Sequence, residues 1–409
     1  MKVIAVIGKN FGDEGKGMAV DFLALHSEKT LVVRHNGGAQ SGHTVEYKDN
    51  GKKFLFHELS SASFRGVDTL WINTFYPDIY KLSEEIEAFR SMFGFVPNIY
   101  AMNDTCITIP DDVLLNMALE TSRGDSRHGS CGMGINECDL RTTAGYGLKL
   151  SSINAMKAND LYKSLLIIRA EYLPKRLKEI SCTLTNKADE YLQLLSNDTL
   201  LKNAAEFICN NLHYINILSD NSLKEKLKEI GTLIFESGQG LLLDRNNKKY
   251  APHLTCSETG LTNPCKFLKR FGYSLEEVIY VSRTYVTKHG AGTLPNQCPR
   301  EALGKLEIDR TNETNEWQGT IRYARHGDTN EFVAEALKDI KRNNAESVKK
   351  SLFLTHLNET DNCVMMKDKN IPVEQFIKLP EITNTFDNFY LSDSHYSENT
   401  TIINQQNVS

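Results

Sequence analysis

The first 45 residues constrain this chain more than anything that follows. The opening MKVIAVIGKNFGDEGKGMAVDFLA begins with an apolar run, residues 3–7, that predicts a short buried strand. A glycine-rich loop covers residues 8–17, and residues 18–25 have helical spacing. A strand, such a loop and a helix in succession present backbone N–H groups and a helix N-terminus to an anion. Gly12, Gly15 and Gly17 permit the close approach and positive φ that a phosphate cradle needs. Lys16 adds a point charge for phosphate oxygens. Asp13 and Glu14 suit an anion badly; a carboxylate there suits a magnesium ligand or a base. The loop is not a Walker A motif, because Gly17 stands where Ser or Thr should follow Lys16, and it contains no GxGxxG. The plain alternative is a glycine-rich βα turn with no ligand. A second unit repeats the design, with a strand over residues 30–34 and a small-residue loop leading to His43.

At 409 residues the chain can bury a large core, and 40% hydrophobic with 24% charged residues is ordinary for a soluble globular protein. A net charge of −5 gives no reason to expect nucleic acid or membrane as a partner. Nine scattered cysteines with no CxxC pair suggest reduced thiols in a cytoplasmic enzyme. The start does not read as a signal peptide, and no apolar run reaches the ~18 residues of a transmembrane helix.

Strand patterns recur at 54–59, 70–73, 98–102, 232–237, 278–282 and 352–358, with helical patterns between them. Ile79, Leu82, Ile86 and Phe89 form one stripe of a helix over 78–92. Residues 151–230 are rich in lysine and glutamate, with leucine and isoleucine at helical spacing. The expectation is one α/β domain over 1–409. Its large, mainly parallel central sheet is flanked by helices in a P-loop-NTPase-like manner. A helical excursion covers 151–230, and a polar, frayed tail covers 400–409.

GDEGKG at 12–17 and GGAQSGHT at 37–44 resemble the adenylosuccinate synthetase family, whose strings are close to WGDEGKGK and GGNNAGHT. The loop RGDSRHGSCGMGIN, 123–136, resembles the family's GTTGRGIGP, which holds the purine 5′-phosphate; Met133 stands where an arginine is usual. GQG at 238–240 stands where the family has EGAQG, YAPHLTCS resembles TYPFVTSS, and TYVTKHGAGTLP is close to TTRVGAGPFP beside the ribose. LFLTHLN stands for a strand ending in TKLD, and SDSHYSE for STGPDR.

The resemblance implies a two-step ligase of purine (AMP) biosynthesis. It would join IMP and L-aspartate at the cost of GTP or ATP, with Mg²⁺, as a cytoplasmic homodimer. It assigns catalysis to Asp13, Lys16 and His43. It assigns phosphate contacts to Gly12, Gly15, Gly17, Gly42 and Thr44, and metal binding to Asp13 and the Gly42 carbonyl. Gln40, Ser130, Cys131, Arg141, Gln239 and Thr255 would hold the purine nucleotide, with Arg141 either reaching across the dimer to its phosphate or lying on the surface. Thr320, Arg322 and Arg325, in the segment 311–328, would grip aspartate; an exposed hairpin is the other reading. His356, Asn358 and Ser392 would line the donor base. A neutral amide at 358 cannot offer guanine two acceptors, which predicts relaxed guanine selectivity or ATP as donor. Retention of Asp13 favours IMP over a 2-aminopurine nucleotide, which would need room beside N1. The rewritten segment 311–328 keeps open a different purine or amine. A nucleotide-binding regulator without turnover is a third reading, against which intact Asp13, Lys16 and His43 speak.

Overall fold

Val3, Ala5 and Ile7 face one apolar cluster, while Ile4 and Val6 face another. This two-residue alternation makes Lys2–Gly8 a strand buried on both sides, here β1. The same alternation recurs in β2 (Thr30–Arg34), in β6 (Thr232–Gly240) and in β7 (Glu277–Arg283). Between them in the chain lie β3 (Asp68–Trp71), β4 (Ile99–Met102) and β5 (Ile215–Leu218). After β7 come β8 (Lys349–Thr355), β9 (Asn388–Leu391) and β10 (Thr401–Asn404). The computed structural model describes residues 1–48, 51–306 and 319–405.

These strands form one ten-stranded sheet in the order β10-β9-β8-β7-β1-β6-β2-β3-β4-β5. Every pairing is parallel except β9 with β10. On one face lies α1 (Lys16–Leu25), which packs Ala19, Val20, Phe22 and Leu23 onto Ile4, Val6 and Ile234. The other face is covered by the helices Thr262–Phe271 and Thr329–Arg342, through Phe267, Phe332 and Ile340 among others. β1 sits near the centre, with chain crossing to either side of it. The loops that leave the carboxyl ends of β1, β2, β6, β7 and β8 therefore converge, which is where open α/β sheets place ligand sites. No helix among the described residues is long and apolar enough to cross a membrane.

Three expectations need correction. The pattern at 54–59 is not a strand of the main sheet: Lys52–Phe56 pairs antiparallel with His43–Tyr47 in a separate hairpin. Beyond Phe56 the backbone N–H groups of His57, Glu58 and Leu59 donate to the buried carboxylate of Glu85, so a side chain replaces the ladder. The excursion at 151–230 is helical except for β5, where β-branched Ile215 and Ile217 extend the sheet edge. The tail is not frayed at its start: β10 pairs with β9, and Ile403 packs on the core. Residues 406–409, and the part of the 311–328 segment up to 318, lie outside the described residues. The expected helix at 78–92 is present as Ile79–Phe93. Asp78 caps it by accepting from the N–H groups of Tyr80 and Lys81.

The C-terminal region also grips α1. Arg65 bridges Asp21 of α1 and Glu398, and the Ser397 hydroxyl donates to Asp21.

Phe235 of β6 is fully buried and meets Phe267 edge-on, with ring centroids 5.6 Å apart. Phe235→Ala is expected to cost about 3–5 kcal/mol, read as a lowered melting temperature with secondary structure retained.

Candidate active site

The loop between β1 and α1 is folded around one of its own side chains. Glu14 is buried; its Oε1 accepts from the N–H groups of Asn10 and Gly12, each at 2.9 Å, and its Oε2 takes Lys16 Nζ at 2.6 Å. A Cβ at Gly8 or Gly240 would lie 2.5 Å from a Glu14 oxygen, so both positions must lack a side chain. The turn is made by Gly12 and Gly15 at φ 103° and 90°. The two acidic residues thus divide: Glu14 is internal scaffold, and Asp13 faces outward, its side chain 27% exposed.

Asp13 holds φ 59°, a left-handed conformation that a non-glycine residue keeps only when its surroundings impose it. Arg283 Nε donates to its carbonyl oxygen at 2.5 Å, and His289 Nε2 lies 3.2 Å from Oδ2. Burial pushes the carboxyl up. His289, then the charges of Arg283 and Lys16, outweigh that and hold it at about 2.

His43 begins the hairpin that packs beside α1; a Cβ on Gly17 would touch its Cβ at 3.2 Å. Its Nδ1 lies 2.5 Å from Glu236 Oε1 of β6. Glu236 also accepts from the Ser61 N–H and hydroxyl, with Arg34 3.9 Å away. Its carboxyl is lowered to about 2, because the pull of His43 and Arg34 exceeds the effect of burial. Burial lowers His43 despite that partner. A carboxylate only accepts, so Nδ1 carries the hydrogen and neutral His43 turns a bare Nε2 away from Glu236. Lys16 exerts its charge on both Asp13 and His43, so the three expected catalytic residues share one neighbourhood.

Buried polar atoms without a protein hydrogen-bond partner gather in the loop after β2: both ring nitrogens of His35, Asn36 Nδ2, Gln40 Oε1, Ser41 Oγ and His43 Nε2. Such a concentration marks a place built for a polar ligand. Gly42 lies against Leu55 and His57, and Thr44 pairs with Leu55 in the hairpin. Gln239 reaches the loop, its Oε1 3.2 Å from where a Gly12 Cβ would stand.

Three further loops form a rim. Gly129 meets Gly290 and Ala291 so closely that a side chain at 129 would lie 3.0 Å from the Ala291 nitrogen. The ring of His253 bonds the His128 carbonyl at 3.1 Å and abuts Gly292. Ser257 Oγ accepts from the Gly37 N–H, which seats the loop carrying Thr255 on the loop after β2. Ser130 and Cys131 lie on this rim, but the Ser130 hydroxyl donates to Asn116 Oδ1. The N–H groups of Gly129 and Ser130 are taken by the buried carboxylate of Glu120. Burial raises Cys131 to about 11, so its thiol stays protonated.

Not every expected residue arrives. Arg141 is 1% exposed and makes a two-pronged bond to Asp112 at 2.9 and 2.8 Å, with its remaining donors on the carbonyls of Tyr146 and Ile107. It neither lies on the surface nor reaches across a dimer, since its whole fork is spent inside the subunit. Arg322 donates to the carbonyls of Gly290 and Gly292, at the rim. Arg325 instead bonds Met366, Asn370 and Ala302, away from that loop, and Thr320 is exposed. At the other end, Thr355 Oγ1 donates to the Glu14 carbonyl and touches Gly15, which sets β8 against the loop. His356, at φ 62°, follows, held neutral by burial. The Leu357 N–H bonds the Ser392 carbonyl, while the Ser392 hydroxyl turns inward to Ser394; Asn358 is exposed.

Sequence reading missed Glu236, Arg283, Glu120 and His289. Glu236 heads the ESGQG string and His289 replaces a valine in the matched TTRVGAGPFP, so both had a signal. Arg283 and Glu120 had none.

A family model described as adenylosuccinate synthetase matches residues 5–405. The adenylosuccinate synthetase of Thermosipho africanus is 28% identical over 312 residues, 73% of this chain and 67% of that protein. That of Azobacteroides pseudotrichonymphae is 28% identical over 307 residues, 75% and 68%. Among solved structures, the fully ligated adenylosuccinate synthetase of Plasmodium falciparum superposes with a TM-score of 0.69 at 17% identity, covering 98% of this chain and all of that one. The succinoaminodeoxyadenylate synthetase of cyanophage S-2L, bound to dGMP and to dATP as energy donor, gives 0.61 at 14% identity, with 98% and 95% covered. At these identities the two structures speak for the fold.

Arg141→Ala strands the Asp112 carboxylate in the interior. It is expected to destabilise the protein by about 3–5 kcal/mol in chemical denaturation, far more than removal of a surface phosphate ligand would.

Proposed function

Because the chain belongs to the adenylosuccinate synthetase family, a family of C–N bond-forming ligases, we propose that it joins IMP and L-aspartate into adenylosuccinate, with 1–409 acting as one catalytic unit in the cytoplasm. The observation that carries this is the convergence of Asp13, Lys16 and His43 on one loop cluster at the carboxyl edge of the sheet.

Asp13 takes the N1 proton of the purine while O6 attacks the γ-phosphorus of a nucleoside triphosphate. Attack draws electron density from the ring and acidifies N1–H, so a carboxylate held ionised accepts the proton as the O–P bond forms. The bond from the γ-phosphorus to the β-phosphate oxygen breaks, and the diphosphate leaves. The aspartate amine then adds at C6 and expels phosphate. Lys16 and His43 offset charge on the transferring group. A triphosphate beside Nε2 favours protonation of His43, and Glu236 stabilises the resulting imidazolium.

A divalent cation fits this site, and we take it to be Mg²⁺. Among the described residues no cluster of three His, Cys, Asp or Glu side chains could hold a metal, but Mg²⁺ bound to substrate phosphates needs only one or two protein ligands. Asp13 and the Gly42 carbonyl would supply hard oxygen donors, next to the unpartnered Gln40 Oε1 and Ser41 Oγ. When bound, the ion would neutralise triphosphate charge. A two-fold dimer follows from the family resemblance, without Arg141 as its bridging ligand.

For the donor we favour ATP. Asn358 is an exposed amide and His356 a neutral ring, a pair that matches an adenine edge better than the donor groups of guanine. A second reading, a different amine in place of aspartate, is favoured by one observation: Arg325 is committed elsewhere, which leaves Arg322 as the arginine of that pair near the rim.

Purified protein with IMP, aspartate, Mg²⁺ and either triphosphate is expected to give adenylosuccinate by mass spectrometry. A product bearing another offered amine supports the second reading. Asp13→Ala should lower turnover by roughly 10²–10⁴-fold without changing the melting curve. ATP should serve at least as well as GTP, and Asn358→Asp should move the preference toward GTP by roughly tenfold or more in kcat/KM.

A further inference from the structure

Resting on the reading of Asp13 as the base, we propose that His289 is a positioning residue: its Nε2–H engages Asp13 Oδ2 and so leaves Oδ1 to face the purine. The two atoms are 3.2 Å apart, an ion-pair distance at which the ring does not yet point its N–H squarely at the oxygen. Ionised carboxylate oxygens only accept hydrogen bonds, so the hydrogen sits on Nε2.

Asp13 needs such a partner. Its backbone is fixed by the bond from Arg283 to its carbonyl, but that bond says nothing about the side chain. A partly exposed aspartate can turn its carboxylate about two torsions, and each wrong orientation takes the base away from its proton. Arg283 and Lys16 attract the carboxylate by charge, yet Arg283 spends Nε on the backbone and an Nη on the Tyr285 hydroxyl, and Lys16 is bonded to Glu14. Among the described contacts, His289 is the one whose side-chain nitrogen lies within 3.2 Å of a single Asp13 oxygen.

His289 is itself held firmly. Its side chain is 15% exposed. Lys288 Nζ donates to its carbonyl, and Arg322 donates to the carbonyls of Gly290 and Gly292. Gly290 packs directly on Gly129, where no side chain fits. The ring is thus carried by a loop clamped by Lys288 and Arg322 on one side and by the 123–136 loop on the other. The matched string TTRVGAGPFP has valine at this point, which has no hydrogen to donate. The carboxylate orientation in this chain therefore depends on a group that the string lacks. The proton in the first chemical step still passes from N1 to Asp13; His289 neither accepts nor releases one.

Three variants test this: His289→Leu, His289→Gln and His289→Glu. Leucine fills the space without a donor, glutamine restores an N–H, and glutamate can only accept and repels Asp13. Leucine and glutamate are expected to lower kcat by about 10²-fold while KM for the purine nucleotide changes less than about threefold. Glutamine should recover most of kcat. If leucine prevents folding, the comparison of glutamine with glutamate decides, with calorimetric binding of the nucleotide as the check that each site is intact. Equal kcat in glutamine and glutamate variants, or a leucine variant as fast as the parent, overturns the proposal. Asp13→Asn is measured beside them: an active Asp13→Asn enzyme refutes the base assignment, whereas an inactive one with a fully active His289→Leu refutes the role of His289 alone.

Discussion

A buried carboxylate holds the amino-terminal loop in shape. Glu14 gathers two backbone N–H groups and an ammonium inside the turn, and Gly8 and Gly240 are the space it occupies. Without an internal acceptor, the amides of Asn10 and Gly12 would be buried and unpaired, at a cost of about 1–3 kcal/mol each. With it, the chain reverses tightly enough to thrust Asp13 outward in a left-handed conformation. The loop therefore does not wait for a phosphate to order it. An anion that approaches meets a preformed turn whose lysine already has a partner.

The same economy of charge extends across the sheet. His43 and Glu236 come from different strands, and Ser61 and Arg34 complete their surroundings. Each buried charge faces an opposite one or a hydrogen-bond donor, as the low dielectric of the interior demands. Along the rim the pattern differs. Glu120 takes the amides of Gly129 and Ser130, within the loop expected to hold a purine phosphate, and Met133 and Cys131 offer that phosphate no charge. The chain thus keeps the matched strings around Asp13, Lys16 and His43 while departing from them along the rim.

Much of this was legible in the sequence, and the limits have physical causes. The opening strand, loop and helix could be read because local periodicity and glycine placement act within a few residues. The central sheet followed from strands and helices in alternation. The role of Glu14 could not be read, since sequence alone does not tell an inward carboxylate from an outward one at the next position. Arg141 was misread for a related reason: a lone arginine looks the same whether it meets solvent or Asp112, 29 residues earlier. The strand at 215–218 was lost among helical neighbours, because a four-residue run is too short to outweigh its surroundings. His289 was visible as a departure from the matched string, but its meaning required the distance to Asp13.

Arg65 forms ion pairs with both Asp21 and Glu398, and the Ser397 hydroxyl donates to Asp21, so two distant stretches of the polypeptide meet on a single helix. That helix begins at Lys16, so its axis is set partly by a residue 376 positions beyond Asp21. A substitution at Ser397 or Glu398 would leave that first helix without its outer brace. The phosphate-facing turn thus answers to a contact made far along the chain, which couples competence for chemistry to the integrity of that distant stretch.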